Sequence, residues 1–159
     1  MRASSAATFL LILAPAVVAF NAIHPASPTD ACSLLTSAEI EKAMGVPMGP
    51  AKSMASKACQ WRQPVKQGDA GAIVDVTILD LRRYNIGKAV AGSNKFKVVT
   101  VPGLGDEAYY SESIDGKQTD LRAKKGDAAF AVHVWGAGVP IPQLEPKELA
   151  LAKIIITKF

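Results

Sequence analysis

The sequence is poor in the residues that carry redox and metal chemistry. It holds two cysteines, Cys32 and Cys59, and two histidines, His24 and His133, in 159 residues. There is no C-x-x-C, and neither histidine neighbours a cysteine, which argues against a dithiol redox couple and against a Cys/His zinc site. A G-K-[ST] phosphate loop and repeats at solenoid periods are also missing. Charge of one sign is never concentrated. The 18 Lys and Arg against 14 Asp and Glu are dispersed, and the densest basic pairs, Arg82-Arg83 and Lys124-Lys125, have Asp80 and Asp127 nearby. Such an excess bears on solubility; nucleic-acid binding requires a clustered patch. No cofactor, metal or nucleic acid is expected.

A membrane-spanning run is missing as well. Ala6 to Ala19 is apolar apart from Thr8 and Pro15, shorter than the roughly 20 residues a spanning helix needs. Arg2 before it, and small residues Val17 and Ala19 at the −3 and −1 positions of a cleavage site, read as a secretory leader over residues 1–19. Cleavage after Ala22 is the alternative, disfavoured because Phe20 would stand at −3; an uncleaved anchor is the other. Cys32 is too far from the apolar run to be a lipoprotein acceptor. Residues 20–30, with Pro25 and Pro28, have no periodicity and read as a disordered lead-in. Residues 31–159 are then a single domain in a periplasmic or extracellular compartment. There two cysteines are expected to form a structural disulfide.

What is present begins with the best-specified local element. Thr36 and Glu39 form the T-x-x-E capping box, Leu35 and Ile40 fit the hydrophobic staple, and Gly45 and Pro47 supply the stop. The helix is expected over Ser37 to Met44. Glu39 and Glu41 are two apart and point to different helix faces, so they are no catalytic pair. Pro50 to Ala58 has room for one weak edge strand. Cys59 to Arg62 alternates, with Cys59 and Trp61 on one face. Ala72 to Leu81 is the strongest strand, with Val74, Val76 and Ile78 facing one way and Asp75 and Thr77 the other. Asp75 and Asp80 have opposite parity and make no pair. A helix over Arg82 to Gly92 would bury Ile86, Ala89 and Val90, weakened by Gly87.

Strands follow at Phe96 to Val101, Glu107 to Ser113, Thr119 to Ala123 and Ala128 to Trp135, joined by an Asp115-Gly116 hairpin turn and a Lys125-Gly126-Asp127 turn. The last helix is expected to start near Pro146 and to bury Leu149, Ala152, Ile155, Ile156 and Phe159. This order predicts an α+β fold, an antiparallel sheet of five or six strands flanked by helices.

The stretches C-S-L-L-T-S-A-E-I-E-K-A-M-G, C-Q-W, V-P-G-L-G-D-E-A and the K-G-D hairpin together resemble an uncharacterised family of small exported bacterial proteins, many of them actinobacterial lipoproteins. The resemblance implies a helix-flanked antiparallel sheet related to the photosystem PsbP type of fold. It implies no established activity.

Three functions compete. The first is an exported, non-enzymatic binding or accessory domain with an unknown small ligand. Its ligand would enter between sheet and helix, or at a loop end carrying Gly136 to Pro142 and the candidate binding loop Pro102, Gly103, Leu104, Gly105 and Asp106. The glycines of that loop are expected to serve positive-φ backbone rather than phosphate. The second is an envelope protein-interaction or inhibitor module. The third is a small hydrolase using His133 with Asp106 or Glu107. No catalytic residue is otherwise indicated, and a lone strand histidine is more often structural.

Overall fold

The computed structural model describes residues 28–93, 96–136 and 139–159. The expected leader, cleavage site and lead-in up to Ser27 lie outside the described residues. The lead-in ends in a cap: the Asp30 carboxylate accepts the Cys32 N–H at 2.9 Å and opens a single helical turn over Ala31–Ser33.

Helix α1 spans Ser37–Met44 with both halves of the Thr36–Glu39 capping box in place and Gly45 left-handed at φ 74°. Seven strands follow: β1 (Lys52–Ala55), β2 (Ala58–Arg62), β3 (Ile73–Leu79), β4 (Phe96–Thr100), β5 (Glu107–Ser113), β6 (Thr119–Lys125) and β7 (Ala128–Trp135). Helix α2 (Leu81–Ser93) lies between β3 and β4, and α3 (Ile141–Ile155) follows β7. All strand pairs are antiparallel, in the order β1-β2-β3-β7-β6-β5-β4. The sheet thus exceeds the expected five or six strands by β1. That strand is exposed at every position, and its register against β2 shifts between Ser53 and Ala55. With no face buried, it writes no alternation into the sequence.

One face of the sheet carries the main core. Trp61, Val74, Val76, Leu121, Ala123 and Val132 are fully buried there with Ile40 of α1 and Leu151, Ala152 and Ile155 of α3. The Cys32–Cys59 disulfide, with Cα atoms 5.0 Å apart, ties the turn before α1 to β2. It therefore anchors the entry to the helix rather than the helix itself.

Three local expectations are corrected. Strand β3 stops at Leu79 because Asp80 caps α2, its carboxylate accepting the Arg83 N–H at 2.7 Å. Helix α2 buries Tyr84 and Ala91, while Ile86 and Val90 stay half exposed. Tyr84 wins because it meets Tyr109 edge to face, with centroids 5.3 Å apart, in a second small core. Helix α3 begins at Ile141, not Pro146. Pro142 occupies its first turn, where a missing N–H costs nothing, and Pro146 follows one turn inside. Its buried stripe is Leu144, Glu148, Leu151, Ala152 and Ile155, with Leu149, Ile156 and Phe159 only partly covered.

Candidate functional site

Alternation places half of each strand's residues on the face away from α1 and α3. Helix α2 packs across one end of that face, against β4 and the near ends of β3, β6 and β7, with Tyr84 against Tyr109 and Ala129. Its closest approach is at Gly87, where a Cβ would lie 1.8 Å from Arg122 Nη1 and 3.4 Å from Tyr109 Oη. The glycine that weakens the helix is thus the notch that admits a guanidinium. Beyond Arg122 the face is bare.

Cross-strand register fills this bare region with one polar row. Gln60 of β2 stands opposite Asp75 of β3, and Asp75 opposite His133 of β7. Asp120 of β6 stands opposite Ser111 of β5. The β6–β7 ladder ends at Leu121 opposite Val132, so Asp120, one residue on, continues the row beside His133. A neighbouring row runs Ala58, Thr77, Ala131, Arg122, Tyr109, and on the other side Arg62, Ile73 and Trp135 align.

These groups are largely paired with one another. Asp75 accepts from Gln60 Nε2 at 2.8 Å through one oxygen and from Trp135 Nε1 at 3.0 Å through the other. Arg62 Nε donates to Gln60 Oε1, and Arg122 Nε to Asp120. The His133 ring stacks on Trp135 with centroids 5.6 Å apart and planes 11° from parallel. Burial holds His133 below its ordinary pKa, against the pull of Asp120 and Asp75. Its Nε2 is buried and has no hydrogen-bond partner among the described residues. For Arg122, burial opposes the charge, and the Asp120 carboxylate more than compensates.

Two clefts open over this region and meet at His133. One, of 430 Å³, lies over Gln60, Asp75, Thr77, Asp120, Arg122 and His133. The other, of 950 Å³, is walled by the residue 62–73 segment, Lys117, Gln118 and Trp135.

The loop Pro102–Asp106 lies elsewhere, exposed except at Leu104. Leu104 is 3% exposed and belongs to the main core. Asp106 N–H donates to Lys124 O at 2.9 Å, and the Asp106 carboxylate accepts the Gly126 N–H at 2.7 Å. Gly105 has φ +64°, and a Cβ there would sit 2.3 Å from Lys124 O, so only glycine lets the two backbones close. The loop lines neither cleft, and it packs at the β6–β7 turn, whereas Gly136 to Pro142 follows the far end of β7. The expected shared loop end does not exist, because the eight-residue β7 separates the two segments by about 25 Å.

Nor does the structure bring His133 to Asp106 or Glu107. Glu107 stands opposite Lys124, itself opposite Ala129, roughly 13 Å from His133 along the strand direction alone. It is bound there by Lys88 and Lys124, whose hydrogen bonds lower its pKa. The carboxylates that lie nearest His133 in the register, Asp75 and Asp120, act on it through their charge alone and went unread in the sequence. Their signal was the polar parity of consecutive strands: Q-x-R, D-x-T, D-x-R-x-K and H-x-W.

A second site escaped the sequence. Glu148 of α3 is fully buried in the stripe between Leu144 and Leu151. Its Oε1 accepts the Val134 N–H at 3.0 Å, where β6 and β7 diverge. Oε2 and the nearby Thr119 Oγ1 make no hydrogen bond of normal geometry among the described residues. Burial pushes the carboxyl up to about 8, against the Val134 N–H, which favours the ionised form.

The described residues hold no group of three or more His, Cys, Asp or Glu arranged to bind a metal ion. No helix among them is long and apolar enough to cross a membrane. No protein-family model, curated protein or solved structure matches the chain.

Proposed function

We propose that the chain is an exported, non-enzymatic binding domain that takes a small ligand on the bare face of its sheet. One observation carries this reading. Two clefts converge on His133 over a polar row that lies beyond the part of the face covered by α2. Concave surfaces with a few converging polar groups on rigid strands are where small ligands bind. The exported bacterial family suggested by the sequence signatures, and a periplasmic or extracellular location, belong to the same proposal; a disulfide is at home there.

A hydrolase centred on His133 is less well supported. Asp75 accepts from Gln60 and Trp135 and makes no hydrogen bond with His133, so the imidazole lacks the orienting carboxylate contact that a general base of this type uses. The interaction-module alternative has support of its own in the half-exposed Ile86 and Val90 on α2.

Amide NMR of the purified protein, titrated with a library of sugars, amino acids, nucleosides and aromatic acids, tests the proposal. Hits should shift resonances of Gln60, Asp75, Arg122, His133 and Trp135 together. Hits clustering on Pro102–Asp106 or on α2 would overturn it.

A further inference from the structure

The bare face offers one fixed aromatic plate among balanced polar groups. Trp135 is 44% exposed. Its indole is held on its edge by Asp75 and propped by the His133 ring. A plate already fixed loses little freedom when a ligand settles on it.

The surrounding charges cancel: Arg62, Arg122 and Lys117 face Asp69, Asp75 and Asp120. Two are paired with acids, Arg122 with Asp120 and Lys117 with Asp115 at 3.5 Å, and Arg62 donates to the neutral Gln60 amide. With as many cationic as anionic side chains around it, the region gives a charged ligand of either sign little net attraction. A purely apolar ligand would strip water from Arg62, Lys117 and Gln118 without replacing their hydrogen bonds, which is costly. Hydroxyl groups fit both demands, since each can donate and accept without carrying charge.

Resting on the reading that this face binds a ligand, we infer that the ligand is a neutral saccharide, stacked by its C–H face on the indole of Trp135 with its hydroxyls among Arg62, Asp69, Gln118 and Lys117. The clefts meet at His133, so the track suits an oligosaccharide running from the residue 62–73 segment toward Thr77.

The test titrates the purified protein with cellotetraose, chitotetraose and maltotetraose, with a galacturonate oligomer as the charged control and aromatic acids as the planar control. The readout is the Trp135 indole N–H resonance, distinct from that of the buried Trp61. At least one neutral oligosaccharide should move it, and the galacturonate oligomer should bind more weakly. Trp135→Ala should weaken binding about tenfold, the size of one aromatic contact. Trp135→Phe, which keeps a ring and the fold, should retain part of the affinity. If aromatic acids move the resonance and no neutral sugar does, the saccharide inference fails and the binding face stands. If no compound perturbs the bare face, both fail. Saccharide binding that survives Trp135→Ala unchanged would refute the stacking.

Discussion

The two faces of this sheet are built from the same strands by the same alternation, and they treat charge in opposite ways. Toward α1 and α3 the strands present Val74, Val76, Leu121 and Val132, all fully buried, and the carboxyl among them belongs to Glu148. Away from those helices they present a buried Gln60 and the partly covered Asp75, Asp120, Arg122 and His133, most of them hydrogen-bonded within the group. The closed face tolerates a carboxyl by keeping it protonated, because desolvation there has no counter-charge to offset it. The bare face keeps its acids within reach of donors and of water. The difference separates stability from recognition. Changes on the closed face should move the unfolding equilibrium, and changes on the bare face should move binding.

The largest expected effect concerns Glu148. Its pKa is raised from the ordinary 4.5 to about 8 in the fold. Between those values the folded chain keeps a proton that the unfolded chain has released. Its contribution to stability is therefore full below pH 4.5 and is lost as pH rises toward 8, on the order of 4–5 kcal/mol. His133, held below its ordinary pKa, adds a slope of opposite sign at lower pH. The clean measurement is thus the difference in urea midpoint between wild type and Glu148→Gln at pH 5 and pH 8. Glu148→Gln should flatten the profile; an unchanged slope would remove Glu148 from the account.

Next comes the staple of the closed face. Cys32→Ala with Cys59→Ala opens a link across 27 residues and should cost about 3–4 kcal/mol by the loop-entropy account. Thermal unfolding with and without reductant checks it, and a midpoint indifferent to reduction would contradict the claim. On the bare face, Asp75→Ala strands Gln60 Nε2 and Trp135 Nε1. Water can reach the region, so the loss should be about 1 kcal/mol. A destabilisation matching that of the disulfide variant would break the contrast between faces. The smallest effect is at α2, where Ile86→Ser should stay within about 0.5 kcal/mol, while Tyr84→Ala costs about 3 kcal/mol. Reversed values would restore the burial expected from the sequence.

Local structure was legible where short-range chemistry decides it. The Thr36–Glu39 box, Gly45 and the D-G turn are encoded within a few residues, and Trp61 shows its buried side by alternation. The packing choice of α2 was not legible. Ile86, Ala89 and Val90 make a good helical stripe, and only Tyr109, twenty-five residues from Tyr84, decides that the other side turns inward. The same holds for the candidate site. Gln60, Asp75, His133 and Asp120 become neighbours through strand order, and no local signal states that β7 inserts beside β3. Glu148 was hidden because a glutamate is most simply read as the solvent side of a helix, which left Leu149 and Ile156 to be taken for the core.

The outermost strand has a consequence for growth of the sheet itself. β1 presents four exposed residues led by Lys52, with its register slipping midway. A short, charged, kinked edge is a poor template for another strand. At the opposite margin β4 lies against α2. The β1 margin of the sheet therefore resists the edge-to-edge templating from which fibrils start.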